Sequence, residues 1–222
     1  MEQILDLWLK YYPVYLSGLW GTLWISAVTV LFGTVLGMLI ALMRMSKCKP
    51  VTWLAGIYIE ILRGTPILVQ LYFFWIGLPK LIPFELSNTA CILVALIINA
   101  SAYIAEIIRA GIGAVDKGQW EAAMSIGLSS RNIMQHVILP QAVKNILPTM
   151  GNEFIALVKE TSVVSFVGAK DLYLAFQSIG SGTYEYMVPY LAMAIIYIVI
   201  VCLITLGIKI MERRLRKSDR GR

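Results

Sequence analysis

No charged side chain occurs from Tyr11 to Met43. A helix needs about 20 apolar residues to cross the hydrocarbon core of a bilayer, so this run is long enough to span it with residues to spare. The rest of the chain agrees. It is 59% hydrophobic and only 14% charged, with a mean hydropathy of +0.75, whereas soluble domains carry about a quarter charged residues. The sequence therefore describes an all-α integral membrane protein. Its 222 residues leave room for one membrane domain of a few spans and no second globular domain.

Taken in order, residues 1–17 form an aromatic N-terminal segment suited to the membrane interface, with Trp8, Tyr11, Tyr12 and Tyr15. The membrane domain follows over 18–212. In its first span Gly33 and Gly37 have the small-xxx-small spacing that favours close helix packing. A short basic loop at 44–50 leads to a second span, 51–78, interrupted by Glu60, Arg63, Gly64 and Pro66. Glu60 and Arg63 have the i,i+3 spacing of an ion pair, and Pro66 predicts a kink. The third span, 86–110, carries Asn99, Ser101 and Tyr103 and then a second i,i+3 pair, Glu106 and Arg109. A fourth, the most polar, covers 141–167, with Pro148 and Gly151 expected to break it. Residues 170–185, containing Gly180-Ser181-Gly182, read as an external loop, and the fifth span is 186–208.

Five spans put the N-terminus outside and the C-terminus in the cytoplasm, and the lysines and arginines agree. Most lie in the inner loops and in the basic tail, 213–222, which includes Arg213, Arg214, Arg216, Lys217, Arg220 and Arg222. The net charge of +6 thus anchors helix ends and gives no reason to expect nucleic acid. Cys48, Cys91 and Cys202 are scattered and His136 is the single histidine, so neither a disulfide framework nor a metal cluster is expected. The first ten residues include Glu2 and Asp6 and lack the basic start of a cleaved signal peptide.

One polar segment, 116–141, interrupts the apolar pattern and falls on the cytoplasmic side. Gln119 to Gly127 favours a short helix, with Trp120, Met124 and Gly127/Leu128 expected on one face. Gly127 permits a sharp turn, and Ser129 or Ser130 can cap the next helix. Within it, Glu121-Ala122-Ala123, three residues, Gly127, nine residues and Val137-Ile138-Leu139-Pro140 resemble the EAA loop of the membrane subunits of ATP-binding cassette importers. The one departure is Val137, where isoleucine is usual. Arg63-Gly64-Thr65-Pro66-Ile67-Leu68-Val69-Gln70, the stretch 102–109, and Gly151-Asn152-Glu153-Phe154 with Lys159-Glu160-Thr161-Ser162 resemble the polar amino acid uptake permeases in particular.

That resemblance implies a permease of the bacterial cytoplasmic membrane that pairs with a second permease subunit, a copy of itself or a different chain. It implies two cytoplasmic ATPase subunits and an extracytoplasmic amino acid-binding protein as further partners. Gln119, Glu121, Ala122, Ala123 and Gly127 would couple to the ATPase. ATP and magnesium would sit on that partner, for this chain has no G-x-x-x-x-G-K-[ST] phosphate loop and no cofactor of its own is expected.

For substrate contact the candidates are Glu153, Glu160 and Asn99. The two acids lie seven residues apart, two turns along one helix face and about 10.5 Å in rise. A carboxylate at that depth is costly unless paired or wet, hence a functional candidate. They fit the ammonium group or cationic side chain of an amino acid. Structural pairing, of Glu160 with Lys159 or a partner subunit, is the other reading, and Asn99 suits an interhelical hydrogen bond as well as a cavity wall. Two other function classes compete. An ion-coupled secondary transporter would show inverted repeats and more spans, and a membrane-embedded enzyme would need a nucleophile–base pair or a metal cluster. Basic amino acids, glutamine, glutamate and cystine all remain open as cargo.

Overall fold

The computed structural model describes residues 2–83 and 85–217; of the expected basic tail, 218–222, with Arg220 and Arg222, lies outside the described residues, as do the side chains of Trp8, Arg216 and Lys217. The described residues form helices joined by short turns, with no strand. Helix α1 (Glu2–Arg44) runs for 43 residues without a break, straight through the expected boundary near residue 17. Its apolar part, Leu9–Arg44, rises about 54 Å, well beyond the roughly 30 Å of hydrocarbon it has to cross. Toward its N-terminal end Tyr15 stacks on Phe176 at 4.5 Å between ring centroids.

Helix α2 (Lys49–Gly64) begins with Pro50 in its first turn, where the missing N–H costs nothing. It stops because Pro66 forces the preceding residue out of the helical region, and Thr65 is extended at φ −118°, ψ 144°. The chain resumes as α3 (Ile67–Tyr72), a wider π turn (Phe73–Gly77) and α4 (Leu78–Leu81). The two arms meet at 106°. The expected kink is thus a full break.

Helix α5 (Asn88–Gly113), capped by Ser87, is the central post. It packs along α1, where Gly37 lets the backbones close to the point that a Cβ there would meet the Ile104 Cβ at 2.9 Å. Next come α6 (Lys117–Ser125), the single turn α7 (Ser130–Asn132), a π stretch (Ile133–Ile138) and α8 (Leu139–Glu160). Contrary to expectation, α8 is not broken at Pro148 or Gly151. Within this stretch Thr149 Oγ1 donates to the Asn145 carbonyl at 3.0 Å. Gly151 permits close packing on α10, since a Cβ there would lie 2.7 Å from Ile208 Cγ1. A 3₁₀ turn (Thr161–Val167) then ends at Gly168.

Residues 170–185, read from sequence as a loop, contain helix α9 (Leu172–Thr183). Asp171 caps it, accepting from the Tyr173 and Leu174 amides at 3.0 and 2.8 Å. Leu172, Ala175, Phe176 and Ile179 form its buried face, and this apolar stripe outweighs the two glycines near its end. Helix α10 (Met187–Lys217) closes the fold. Three helices, α1, α5 and α10, are long and apolar enough to span, and the bent pair α2 with α3–α4 makes a fourth. The expected fourth span, α8, has the length but carries Lys144, Asn145, Asn152, Glu153 and Lys159 and is not among them.

Candidate functional site

Where α2 ends, it leans over the second half of α5. Arg63, in its last turn, places its guanidinium 5.3 Å from the centroid of the Tyr103 ring. The expected Glu60–Arg63 pair is not formed: the ring face and the nearby Glu106 carboxylate draw Arg63 toward α5, and Glu60 stays exposed. The second expected pair is present, with Arg109 Nε donating to Glu106 Oε2 at 2.9 Å and Nη2 to Oε1 at 2.5 Å.

These groups edge a cavity of about 490 Å³ between α2, α5 and α8, lined among others by Arg63, Tyr103, Glu106, Asn145, Thr149 and Glu153. Glu153 is half-buried on α8. The charges close enough to act on it through space are Glu160 and Arg63. Glu160, two turns further on, is exposed at the end of α8. A second, more polar cavity of about 650 Å³ adjoins the first through Ala114, Asn145 and Thr149 and reaches Asp116, Gln141, Lys144 and Glu212.

Asn99 does not line either cavity. It is 3% exposed, and its amide nitrogen donates to Gln70 Oε1 at 3.0 Å and to the Leu62 carbonyl at 3.4 Å. Gln70 is the residue that sequence reasoning left without a role. Its amide nitrogen bonds the Leu62 carbonyl (2.8 Å), the Thr65 hydroxyl (2.7 Å) and the Thr65 carbonyl (3.1 Å). The break strips these carbonyls of helical partners, and Gln70 supplies replacements. A lone amide four residues after a proline in an apolar stretch was the available signal.

The connector helix α6 starts at Asp116, whose Oδ1 accepts from the Gly118 amide at 2.7 Å. It ends in a Schellman motif: the Gly127 amide bonds the Met124 carbonyl (2.9 Å) and the Leu128 amide bonds the Ala123 carbonyl (3.2 Å). That closure requires φ > 0 at Gly127, observed at +82°. Ala123 and Leu128 then fall against Ile133, Ile138 and Trp120 in a small core. The inward face is therefore Trp120, Ala123 and Leu128. Met124, expected there, is 57% exposed and touches Trp120 Nε1 through its sulfur. Gln119, Glu121, Ala122 and Gly127 face outward, and so does Ile126, at 77%. Gln141 Nε2 reaches Gln119 Oε1 at 3.3 Å, tying α6 to α8. Ser129, as expected, caps the following turn.

A helical membrane domain with a charged internal cavity, holding out a rigidly capped helix at the connector between two of its long helices, is a transport subunit built to work with other chains. Residues 33–217 match the family described as binding-protein-dependent transport system inner membrane component, and the chain belongs to that family. The arginine transport system permease protein ArtQ of Bacillus subtilis (strain 168) is 40% identical over 207 residues, covering 93% of this chain and 94% of that protein. A putative glutamine transport system permease protein, GlnP, of Rickettsia felis is 40% identical over 210 residues, covering 93% and 96%. Among solved structures, the crystal structure of an amino acid ABC transporter with histidines superposes with a TM-score of 0.88 at 46% identity, covering 93% of this chain and 96% of that one. The inward-facing MetNI methionine ABC transporter shares the fold alone, at 21% identity and a TM-score of 0.76 over 91% and 96%. An importer permease is thereby favoured over a secondary transporter or a membrane enzyme.

Proposed function

We propose that this chain forms the passage of an ATP-driven importer for a polar amino acid, with Glu153 as the residue that meets the substrate's cationic group. The observation that carries this is the place of Glu153: half-buried on α8, at the wall of a cavity wide enough for an amino acid. A carboxylate held there costs several kcal/mol unless it is wet or paired, and a passing ammonium or guanidinium offsets that cost. Glu160 adds negative potential along the same helix. Asn99 acts one layer behind, holding the break of the second span in place.

The same reading gives α6 its task. Its exposed residues, Gln119, Glu121, Ala122 and Gly127, with Met124 and Ile126, dock on a cytoplasmic ATPase, while Ala123 anchors the helix to the subunit. A helix fixed by a cap at one end and a Schellman turn at the other moves as a unit, and the Gln119–Gln141 contact passes that motion to α8. The working assembly then comprises a second permease subunit, two ATPase subunits that bind ATP and magnesium, and an extracytoplasmic binding protein, in the bacterial cytoplasmic membrane with the C-terminus inside. The names of ArtQ and GlnP support arginine and glutamine as the first cargoes to try. The test is uptake of arginine, glutamine, glutamate and cystine by proteoliposomes holding the complete complex. Saturable, ATP-dependent uptake of one of them is expected; uptake of none contradicts the reading.

A further inference from the structure

The geometry points to Arg63 as the residue that binds the substrate's α-carboxylate and so makes the cavity selective for intact amino acids over amines. This rests on the cavity being the amino acid passage. Four charged side chains matter here. Arg109 engages Glu106 in a two-bonded salt bridge, with Arg63 further off in the field of that carboxylate. That leaves Arg63 and Glu153 as opposite charges on the wall of one cavity. They are within electrostatic reach of each other but do not form an ion pair.

Two unlike charges held apart in one cleft match an amino acid with a cationic side chain at one end and its α-carboxylate at the other. Glu153 takes the cationic end and Arg63 the carboxylate. Arginine suits that part because its planar fork meets a carboxylate through two parallel hydrogen bonds, which a lysine cannot copy. The side chain is also poised rather than loose. Its guanidinium rests on the Tyr103 ring, a contact that positions the group while leaving its N–H donors open. Moreover, Arg63 lies in the last turn of α2, immediately before the 106° break.

A structural role for Arg63, packing on Tyr103 and balancing the field of Glu106, would make no distinction between amino acids and their α-amides. The purified complete importer in nanodiscs, without its external receptor, is therefore titrated with arginine and glutamine. Whichever binds is compared with the same compound carrying an amide in place of the α-carboxylate. The wild-type protein is expected to prefer the free carboxylate by about tenfold or more. In Arg63→Gln the amino acid should fall to the affinity of its amide, with the affinity of the amide itself unchanged within about twofold. Arg63→Lys should retain an intermediate preference, which also shows that the variants fold. If Arg63→Gln keeps the wild-type preference, or weakens both ligands equally, the assignment of Arg63 is wrong while the passage still stands. If the wild-type permease binds neither arginine nor glutamine, and neither glutamate nor cystine when these are titrated in turn, the passage itself is wrong and Arg63 falls with it.

Discussion

Asn99 donates its side-chain N–H to Gln70 Oε1 at 3.0 Å, joining the central helix α5 to the arm that restarts after Pro66. Both residues are buried, at 3% and 7% exposure, and Gln70 answers the carbonyls that the break leaves unpaired. The 106° bend is thus held by two amides in an otherwise apolar layer.

Because each amide leaves the other with an unmet partner when it is removed, Gln70→Leu and Asn99→Leu should each destabilise the protein by about 1–3 kcal/mol. The double variant should cost clearly less than their sum, as contacting residues couple. Thermal unfolding of the purified subunit in detergent reads this directly. Strict additivity would mean that the two amides act independently.

A Cβ at Gly111 would fall 2.3 Å from Ile146 Cγ1, so the Ile146 side chain of α8 rests directly on the α5 backbone at the level of the cavity. Gly111→Ala should lower stability by about 1–3 kcal/mol through overpacking. Adding Ile146→Ala should restore part of it by opening the space. A Gly111→Ala variant that melts like the wild type would show that α8 shifts freely there, at odds with a rigid cavity wall.

A Cβ added at Gly127 would have no neighbouring atom within 4 Å, so substitutions there strain the backbone rather than clash within this subunit. Asparagine tolerates the left-handed region better than alanine, and the Schellman turn should survive best in Gly127→Asn. Gly127→Ala should weaken the coupling of ATP hydrolysis to uptake, and Gly127→Glu, which also adds charge at the docking face, should uncouple them while insertion stays normal. The ratio of substrate moved to ATP hydrolysed is the readout. A normal ratio in Gly127→Glu would remove this turn from coupling.

Much of this architecture is legible in the chain because bilayers impose length and composition. The charge-free run in α1 and the Gly37 contact follow from residue type and spacing alone. So does the Glu121–Gly127 stretch, whose spacing from Ala123 to Gly127 and Leu128 is that of a Schellman motif. Other features depend on neighbours that a linear reading does not supply. Arg63 has an i,i+3 acid on its own helix but turns to a ring forty residues away in sequence. Pro148 and Gly151 carry the local signature of a break, yet tertiary packing on α10 keeps α8 whole. In α9 the Gly-Ser-Gly run masks an apolar stripe and an Asp171 cap that were both present in the sequence. Asn99 could be narrowed to two roles, and only the position of Gln70 decides between them.

The most direct test of Glu153 as the group that meets the cationic end of the substrate is uptake by the reconstituted complex carrying Glu153→Gln. A charge-assisted contact contributes about 1.5–3 kcal/mol, or roughly 10- to 100-fold. Arginine uptake, measured as kcat/KM, should therefore fall by at least about tenfold, whereas glutamine, which brings no cationic side chain, should lose markedly less. An equal effect on both substrates, or none on either, would contradict the assignment of Glu153.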